Sequence, residues 1–381
     1  MNCLDFYKLL QEEQIDFFAG VPDSLLKDIC AYIQNKVCKE KHIITPNEGS
    51  AIALGAGYYL ATGQIPLIYM QNSGLGNALN PLTSLTDSEV YGIPMLLMIG
   101  WRGIPGIKDE PQHIKQGRIT PDLLKCLEIP YRVLPKDLIQ AKEILKDLII
   151  QARKLSQPVA LLVENDTFDS CKIEQTVYKI VSDMTREQAL KILITRLSQE
   201  SKIISTTGKT SREVYEIRES LGQSHENDFL MVGSMGHAST LAQGVALNSP
   251  HHKIFCFDGD GAVLMHMGSL PLVGSLKLNN FWHVLFNNAA HESVGGQPTV
   301  AEYVDFTKIA LGAGYSAALS VSTVNELELA LPTFLKGNGP SLLEIQIKMG
   351  SRADLGRPKE TTHMCKNNFM QGMLENQKKV A

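Results

Sequence analysis

The sequence predicts an α/β protein with two similar doubly wound domains, each built on a parallel sheet. Three observations lead to this prediction: the length of 381 residues, an alternation of apolar runs with amphipathic stretches, and a weak internal repeat. Such alternation is typical of parallel sheets covered by helices on both faces. The runs with strand character are IPLIYM, IPMLLMIG, PVALLVE, KIISTTG, KIFCFDG, WHVLFNN and SLLEIQI.

The internal repeat relates the stretch that begins at Glu48 to the one that begins at Met235. The two align without gaps, and glycine matches glycine at a constant offset, since 236 − 49 and 261 − 74 both equal 187. Chance matching of small residues is the alternative explanation. A repeat over this length favours two domains with one fold.

The domain boundaries follow from the repeat and from where polar residues gather. We expect a first α/β domain at 1–170, a polar linker at 171–184, and a second α/β domain at 185–350. Residues 351–381 are expected to form a C-terminal tail. We expect no middle domain between these two domains, because only the short polar linker separates them.

The composition indicates an ordinary globular protein. Hydrophobic residues make up 44% and charged residues 20% of the chain, and the net charge is −4. This balance makes nucleic acid and anionic membrane poor candidates as partners. The start of the chain has no signal-peptide pattern, so the cytoplasm is the expected location. The seven cysteines are scattered without a C-x-x-C pair, which argues against a zinc site or a disulfide framework.

The segment IFCFDGDGAVLMHMGSLPL suggests a site at a strand-to-helix turn. Four apolar residues lead into a glycine-rich turn, where glycines let a backbone approach a phosphate. Asp260 lies in this turn, and a carboxylate beside a phosphate requires a cation between them. A helix cap is the alternative role for Asp260. In the repeat Asp260 lies opposite Ser73, so only the second half is expected to hold a metal.

The next strand, WHVLFNN, ends in Asn287 and Asn288. Ligands of parallel sheets gather at the carboxyl ends of the strands. Aspartate and asparagine oxygens at neighbouring strand ends suit a hard cation such as Mg²⁺.

The spacing of GDG followed by NN resembles the motif of thiamine diphosphate-dependent enzymes, and the likeness covers nearly the whole chain. The resemblance implies that thiamine diphosphate and Mg²⁺ bind, with Asp260, Asn288 and the carbonyl of Ala290 as metal ligands. It implies that the turn containing Gly259, Asp260, Gly261 and Ala262 cradles the diphosphate. It also implies a homo-oligomer, at least a dimer, with active sites between subunits.

The same resemblance identifies residues for the aminopyrimidine end of the cofactor. Glu48, in TPNEGSAIALGAGYY, is similar to the activating glutamate that hydrogen-bonds the pyrimidine ring. In VGSMGHAS, the carbonyl of Gly233 would accept from the amino group, and Met235 would hold the cofactor bent. The alternatives are a helix-start glutamate and a methionine that merely fills the core.

The stretch TTGKTSRE is expected to open the first helix of the second domain. Gly208, Lys209, Thr210 and Ser211 would complete the diphosphate site or reach the substrate. Capping by the threonine and the serine is the alternative.

Several long stretches resemble the short two-domain decarboxylases of this family, which act on 3-phosphonopyruvate or sulfopyruvate. They are GVPDSLL, KDEPQH, NNAAHESVGGQPT and GSRADLGRPKETT. The resemblance implies decarboxylation of a small 2-oxo acid, 3-phosphonopyruvate first and sulfopyruvate as the alternative, and a role in phosphonate biosynthesis.

Proton transfer would fall to a small set of side chains. His113 is the first candidate, because imidazole titrates near neutral pH. Asp23 and Ser24 follow the first strand, and His291 follows the paired amides. A structural histidine is the alternative for His113.

Arginine is the natural partner of a phosphonate. Arg352 and Arg357 lie in a tail segment with little regular pattern and are expected to act on a lid. Lys209 and Arg212 are further candidates. An ordinary solvated tail is the alternative for the two tail arginines.

Two other classes of function compete with this one. A dinucleotide-binding oxidoreductase would need a Gly-x-Gly-x-x-Gly pattern, which the GDG turn lacks. A regulatory module without activity would not require Glu48, Asp260 and Asn288 together.

Overall fold

The fold consists of parallel sheets and helices that alternate along the chain, in a computed structural model that describes residues 1–174, 180 and 182–380 and only the backbone of 375–380. The chain divides into two compact units, Met1–Val177 with His291–Pro298, and Tyr178–Ala290 with Thr299–Ala381. Part of the predicted linker 171–184 lies outside the described residues, and the predicted domain boundaries remain predictions.

The strands of the first part of the chain are short and follow one another with a helix between most of them. They are β1 (Phe18–Gly20), β2 (His42–Ile44), β3 (Leu67–Gln71), β4 (Leu96–Gly100), β5 (Tyr131–Val133) and β6 (Val159–Val163). The helices are α1 (Cys3–Glu12), α2 (Lys27–Lys36), α3 (Glu48–Thr62), α4 (Leu75–Ser84), α5 (Pro111–Cys126) and α6 (Leu138–Leu155).

The second part of the chain repeats this pattern with one small insertion. Its strands are β7 (Lys202–Ser205), β8 (Asp228–Leu230), β9 (Ile254–Gly259), β10 (Phe281–Asn287), β11 (Ala290–His291), β12 (Gln297–Pro298), β13 (Ala317–Val321) and β14 (Ser341–Gln346). Its helices are α7 (Arg186–Arg196), α8 (Lys209–Ser220), α9 (Ala238–Asn248), α10 (Asp260–Met265), α11 (Ser269–Leu276), α12 (Phe306–Gly312), α13 (Val324–Lys336) and α14 (Thr362–Val380).

Each unit contains a six-stranded sheet, and the two sheets share one strand order. The orders are β2-β1-β3-β4-β6-β5 and β13-β14-β10-β9-β7-β8, and neighbouring strands in both are parallel. Counted along its own unit, the second sheet reversed reads 2-1-3-4-6-5, as the first does. The prediction of two similar doubly wound folds is confirmed. Strands β3 and β9 begin at residues 67 and 254, which keeps the offset of 187 seen in the sequence.

Helices cover both faces of each sheet, as the alternating pattern predicts. In unit 1, α1, α2 and α6 bury one face around Phe6, and α3, α4 and α5 bury the other around Ile52. In unit 2, α7, α8 and α13 pack on one face, and α9, α11 and α12 pack on the other. The apolar sides of the helices hold them there.

One sequence expectation about helix order is wrong. The stretch TTGKTSRE opens α8, the second helix of unit 2, because α7 already precedes β7. Helix α7 begins with a capping box, in which the side chains of Thr185 and Gln188 each bind the backbone of the other. The pattern T-x-x-Q that signals this cap lies at the edge of the polar stretch expected to be the linker.

Much of the predicted tail is helix α14, which packs on β8. Phe369 is buried and meets Phe229 edge-to-face, with ring centroids 5.7 Å apart. The buried Lys202 ammonium donates to the carbonyl of Gly372 at 2.8 Å. Residues 351–361 before it have no helix or strand. Among the described residues, no helix combines the length and apolar character that crossing a membrane requires.

Candidate active site

Glu48 is a buried carboxyl at the start of α3. Asn47 caps this helix, and its side chain accepts from the Ser50 N–H at 2.9 Å. Because Asn47 makes the capping hydrogen bond, the Glu48 side chain does not serve as the cap of this helix. It is 5% exposed, and its Oε2 accepts from Asn77 Nδ2 at 2.8 Å. Burial raises the pKa of Glu48 above its ordinary value, against the lowering effect of Asn77.

Gly74 lies directly against this carboxyl. A Cβ built at Gly74 would lie 2.3 Å from Oε1 of Glu48, so no other residue fits without displacing the carboxyl. Gly74 ends the short 3₁₀ turn Asn72–Gly74 that follows β3. The glycine matched by the repeat thus has a packing reason in this half.

Asp23 follows β1 and is fully buried. Its carboxylate accepts from Gln71 Nε2 at 2.6 Å and from the Leu25 N–H at 2.8 Å. Burial raises the pKa of Asp23, and these hydrogen bonds only partly oppose it. Gly100, at the end of β4, leaves the space for this carboxyl, because a Cβ there would lie 2.2 Å from Oδ2.

Arg102 lies two residues beyond β4 and forms a fork with Asp109. Its Nε donates to Oδ2 at 2.9 Å and its Nη2 donates to Oδ1 at 2.5 Å. Its Nη1 donates to the hydroxyl of Ser24 at 2.8 Å. Burial works against the charge of Asp109, but hydrogen bonds from Arg102 and His113 outweigh it and hold its pKa well below the usual value.

His113 is positioned by the same carboxylate. It lies in the first turn of α5, 7% exposed, with Nδ1 at 3.0 Å from Asp109 Oδ1. Because an ionised carboxylate only accepts, Nδ1 carries the hydrogen in this contact. Nε2 is then the ring nitrogen left for a substrate.

Asp260 is a buried acid in unit 2, directly after β9. It is the first residue of α10, while Gly259 is the N-cap, so the alternative role of Asp260 as a helix cap is wrong. Oδ2 accepts from Thr299 Oγ1 at 2.6 Å. Burial raises the pKa of Asp260 to about 7, although the threonine and backbone N–H groups lower it.

Asn288 lies beside Asp260 at the end of β10. Its side chain is buried, and the Asn288 backbone N–H is one of the groups that lower the pKa of Asp260. Asn288 Oδ1 accepts from the Ala290 N–H at 3.0 Å, and Ala289 has a left-handed φ of 53°. The preceding amide, Asn287, instead donates to Glu344 at 2.7 Å. Of the two asparagines, Asn288 is thus the one beside the Asp260 carboxylate, while Asn287 binds Glu344.

The residues predicted for the diphosphate lie near the same edge of the sheet. Gly208 is the N-cap of α8 with φ 96°, and Thr210 and Ser211 lie inside the helix rather than at its cap. Ser211 Oγ donates to the Thr206 carbonyl at 2.7 Å. Lys209 begins α8, Gly259 ends β9, and Gly261 and Ala262 lie in α10. Gly233 and Met235, which were predicted for the aminopyrimidine end of the cofactor, follow β8.

The tail arginine Arg352 is engaged by carboxylates. It contacts Glu187 at 2.9 Å and Asp354 at 3.1 Å, and it also pairs with Glu216. Arg357 lies in the same irregular segment, and Arg212 lies in α8. This arrangement does not favour Arg352 as an anion ligand.

His291 lies in β11, which pairs with β12 in a two-stranded sheet. The side chain is buried, and burial lowers its pKa to about 4. The segment His291–Pro298 groups with unit 1 rather than with the residues on either side of it.

The structure thus brings the predicted residues into two clusters. Asp23, Ser24 and His113 gather around Arg102 in unit 1, and Asp260 and Asn288 meet in unit 2. Sequence reasoning missed Arg102, Asn77 and Thr299. Arg102 lies two residues after the apolar run IPMLLMIG, so the strand-end rule applied to the asparagines marks its position as a candidate, although it does not identify its partners.

The donor set of unit 2 fits a hard divalent cation. It offers a carboxylate, an amide oxygen and a backbone carbonyl, which are the ligand types that Mg²⁺ takes. A buried carboxyl with a raised pKa gains from a nearby cation, because the cation favours its charged form. In unit 1, Glu48 is a buried carboxyl with a raised pKa, which is the type of group that can donate to the ring nitrogen of an aminopyrimidine.

Comparisons with known proteins show which family the two parts of the chain belong to. The family model "Thiamine pyrophosphate enzyme, N-terminal TPP binding domain" matches residues 5–123, and the model for the C-terminal TPP binding domain matches residues 206–345. A phosphonopyruvate decarboxylase of Streptomyces viridochromogenes is 35% identical over 360 residues, which cover 90% of this chain and 87% of the relative.

Two further relatives extend over a similar length. A phosphonopyruvate decarboxylase of Streptomyces hygroscopicus is 35% identical over 94% of this chain and 90% of its own. A sulfopyruvate decarboxylase of Methanosarcina acetivorans is 25% identical over 90% of each chain. The resemblance drawn from the GDG and NN motifs is confirmed. The chain belongs to the phosphonopyruvate decarboxylase family of thiamine pyrophosphate enzymes.

Proposed function

We propose that this chain decarboxylates 3-phosphonopyruvate to phosphonoacetaldehyde and CO₂ with thiamine diphosphate and Mg²⁺. The observation that carries the proposal is the buried Glu48 carboxyl, seated against Gly74 and Asn77 with a raised pKa. The choice of substrate rests on the names of the two relatives at 35% identity.

Glu48 is the residue that would activate the cofactor. Thiamine diphosphate, when bound, supplies the electron sink that allows a 2-oxo acid to lose CO₂. Burial raises the pKa of Glu48 and so favours its protonated form, which is the form that donates to a ring nitrogen. Asn77 fixes the orientation of that carboxyl by its hydrogen bond to Oε2.

Unit 2 would hold the metal and the diphosphate. Asp260, Asn288 and the carbonyl of Ala290 would ligate Mg²⁺, and the turn from Gly259 to Ala262 would face the phosphates. Gly208, Lys209 and Thr210 would complete the diphosphate site. Gly233 and Met235 would contact the pyrimidine and the bend of the cofactor.

Two side chains of unit 1 would handle protons. His113 presents Nε2, because Asp109 occupies Nδ1. Asp23 is fully buried with a raised pKa, so its neutral form can act as a proton donor. His291 is a weaker candidate, because burial lowers its pKa to about 4 and favours the neutral ring.

The assembly and the biological setting complete the proposal. We propose a cytoplasmic homo-oligomer in which each cofactor is bound between two chains, acting in phosphonate biosynthesis. Loss of CO₂ is irreversible in practice and would draw a preceding carbon–phosphorus bond-forming step forward. The tail segment with Arg352 and Arg357 would act as a lid only if Arg352 left Glu187 and Glu216.

Sulfopyruvate is the second candidate substrate. It is favoured by the relative that spans 90% of the chain at 25% identity. A sulfonate carries one charge less than a fully ionised phosphonate and has a similar shape.

The deciding experiment compares aldehyde formation from phosphonopyruvate, sulfopyruvate and pyruvate, each with and without thiamine diphosphate and Mg²⁺. We expect turnover that depends on both additions and favours phosphonopyruvate. Faster turnover of sulfopyruvate would select the second candidate. Absence of turnover from all three with cofactor bound would refute the proposal.

A further inference from the structure

Arg102 is a half-buried cation beside the groups that would handle protons in unit 1. Its side chain is 20% exposed, its Nη1 donates to Ser24, and Ser24 directly follows the buried Asp23. It lies just beyond the carboxyl end of β4, the edge of a parallel sheet where ligands gather.

Asp109 fixes the guanidinium in one orientation. Its two oxygens accept from Arg102 Nε and Nη2, and also from the N–H groups of Gly103 and Glu110 at 2.8 and 2.7 Å. With His113 Nδ1 added, this carboxylate accepts five hydrogen bonds. It is therefore an anchor rather than a reacting group.

Two glycines near the Arg102–Asp109 pair, Gly103 and Gly117, have no space for a side chain. Gly103 has φ 72°, and a Cβ there would lie 1.9 Å from the carbonyl of His113. A Cβ at Gly117 would lie 1.8 Å from the carbonyl of Gly103. The loop that carries Arg102 is thus held against the first turns of α5.

The guanidinium keeps donors for a ligand. Arginine has five N–H donors, and the contacts to Asp109 and Ser24 use three of them. One N–H remains on each terminal nitrogen, with no further hydrogen-bond partner among the described residues. Two such donors in one plane match two oxygens of a phosphonate or a sulfonate.

We propose that Arg102 binds the acidic head group of the substrate and thereby sets the preference for a substituted over an unsubstituted pyruvate. This inference rests on the proposed function and names the contact that gives it specificity. It replaces Arg352 as the principal anion ligand, because Arg352 is engaged by three carboxylates.

The test measures binding and turnover separately. Phosphonoacetate, a phosphonate that cannot be decarboxylated by this route, is titrated calorimetrically into the full chain loaded with thiamine diphosphate and Mg²⁺. We expect Arg102→Gln to weaken binding about 100-fold and Arg102→Lys to weaken it about tenfold, because lysine keeps the charge but not the fork. Arg118→Gln, on the exposed side of α5, is the matched control and leaves binding unchanged.

The turnover comparison distinguishes recognition from a structural role. In Arg102→Gln, kcat/KM for phosphonopyruvate is expected to fall about 100-fold, mainly through KM, while kcat/KM for pyruvate stays within about threefold. An equal loss for both substrates would assign Arg102 a structural role and overturn the inference. So would unchanged binding of phosphonoacetate, or no binding of it by the wild-type protein.

The two proposals fail in different ways. If the wild-type protein binds phosphonoacetate through Arg102 but decarboxylates none of the three acids, the proposed function is wrong and the anion site stands. If the Arg102→Gln variant decarboxylates phosphonopyruvate as fast as the wild-type protein does, the proposed function stands and the assignment of Arg102 is wrong.

Discussion

Gly74 and Glu48 are in such close contact that a single added carbon would collide with the carboxyl. A Cβ with ideal geometry on Gly74 would lie 2.3 Å from Oε1 of Glu48. Real Cβ atoms do not approach so closely, so Gly74→Ala must displace either the carboxyl or the turn after β3.

Gly74→Ala is therefore expected to disable the enzyme without unfolding it. We expect kcat to fall at least about tenfold, because a shift of the Glu48 carboxyl of about 1 Å spoils its geometry. Steady-state kinetics and thermal unfolding are measured together. Gly76→Ala is the control, since nothing lies within 4 Å of its added Cβ. Equal activity of the two variants would contradict the role of the contact.

Glu48→Gln is expected to separate cofactor binding from catalysis. Glutamine keeps the shape of the side chain but cannot exchange a proton with the ring nitrogen. We expect kcat to fall about 10²- to 10⁴-fold while the affinity for thiamine diphosphate changes little. Calorimetry gives the affinity, and Glu89→Gln, on an exposed side chain, is the control. Full turnover in Glu48→Gln would remove this residue from the mechanism.

Activity should depend on a metal ion bound by Asp260, and the affinity for that metal should depend on Thr299, which donates to Asp260. We expect dialysis against EDTA to abolish activity and Mg²⁺ to restore it. Asp260→Asn is expected to prevent restoration at ordinary Mg²⁺ concentrations. Thr299→Val removes the hydroxyl that donates to Asp260 at 2.6 Å and should weaken metal affinity about 10- to 100-fold. Thr299→Ser keeps that hydroxyl and should bind metal as the wild type does; equal affinity in the valine and serine variants would argue against the contact.

His42 should make unit 1 sensitive to acid. Burial lowers its pKa from 6.5 to about 4, and its Nε2 lies 3.0 Å from the Tyr69 hydroxyl. Between these pH values the unfolded chain binds more protons than the folded one, so the free energy of unfolding falls as the pH falls. The stabilising contribution is fully present above about pH 6.5 and lost by about pH 4.

Replacing the histidine tests this window. His42→Gln keeps a polar group but does not titrate, so its unfolding temperature should decline less between pH 6.5 and 4 than that of the wild type, by a few degrees at about 2–4 °C per kcal/mol. His363→Gln, on an exposed side chain, serves as the control. Parallel declines in all three proteins would mean that His42 does not carry the effect.

The sequence predicted the strands that are long and apolar, because such runs are buried whatever surrounds them. Strands β2, β5 and β8 have three residues each and no comparable pattern. They are defined by pairing with neighbours that lie far away in the sequence. Side-chain periodicity does not report which strands pair, so the strand order itself could not be predicted. The repeat predicted only that the two sheets would have the same fold.

The candidate site divides in the same way. Asp260 and Asn288 follow apolar runs and were visible as strand-end residues. Arg102 also lies near a strand end, but its role depends on contacts with Asp109 and Ser24, which are 7 and 78 positions away in the sequence. Contacts of this kind arise from the tertiary fold, and a motif search along the chain does not detect them.

The shared strand order of the two sheets has a consequence for how new chemistry can arise. The turn after the third strand holds a serine in one copy and an acid in the other, at positions 73 and 260. Because each copy has its own sheet and its own cores, a substitution in one turn leaves the backbone of the other intact. Two copies of one fold can therefore carry different chemistry in equivalent turns, while the strand order that positions both turns stays the same.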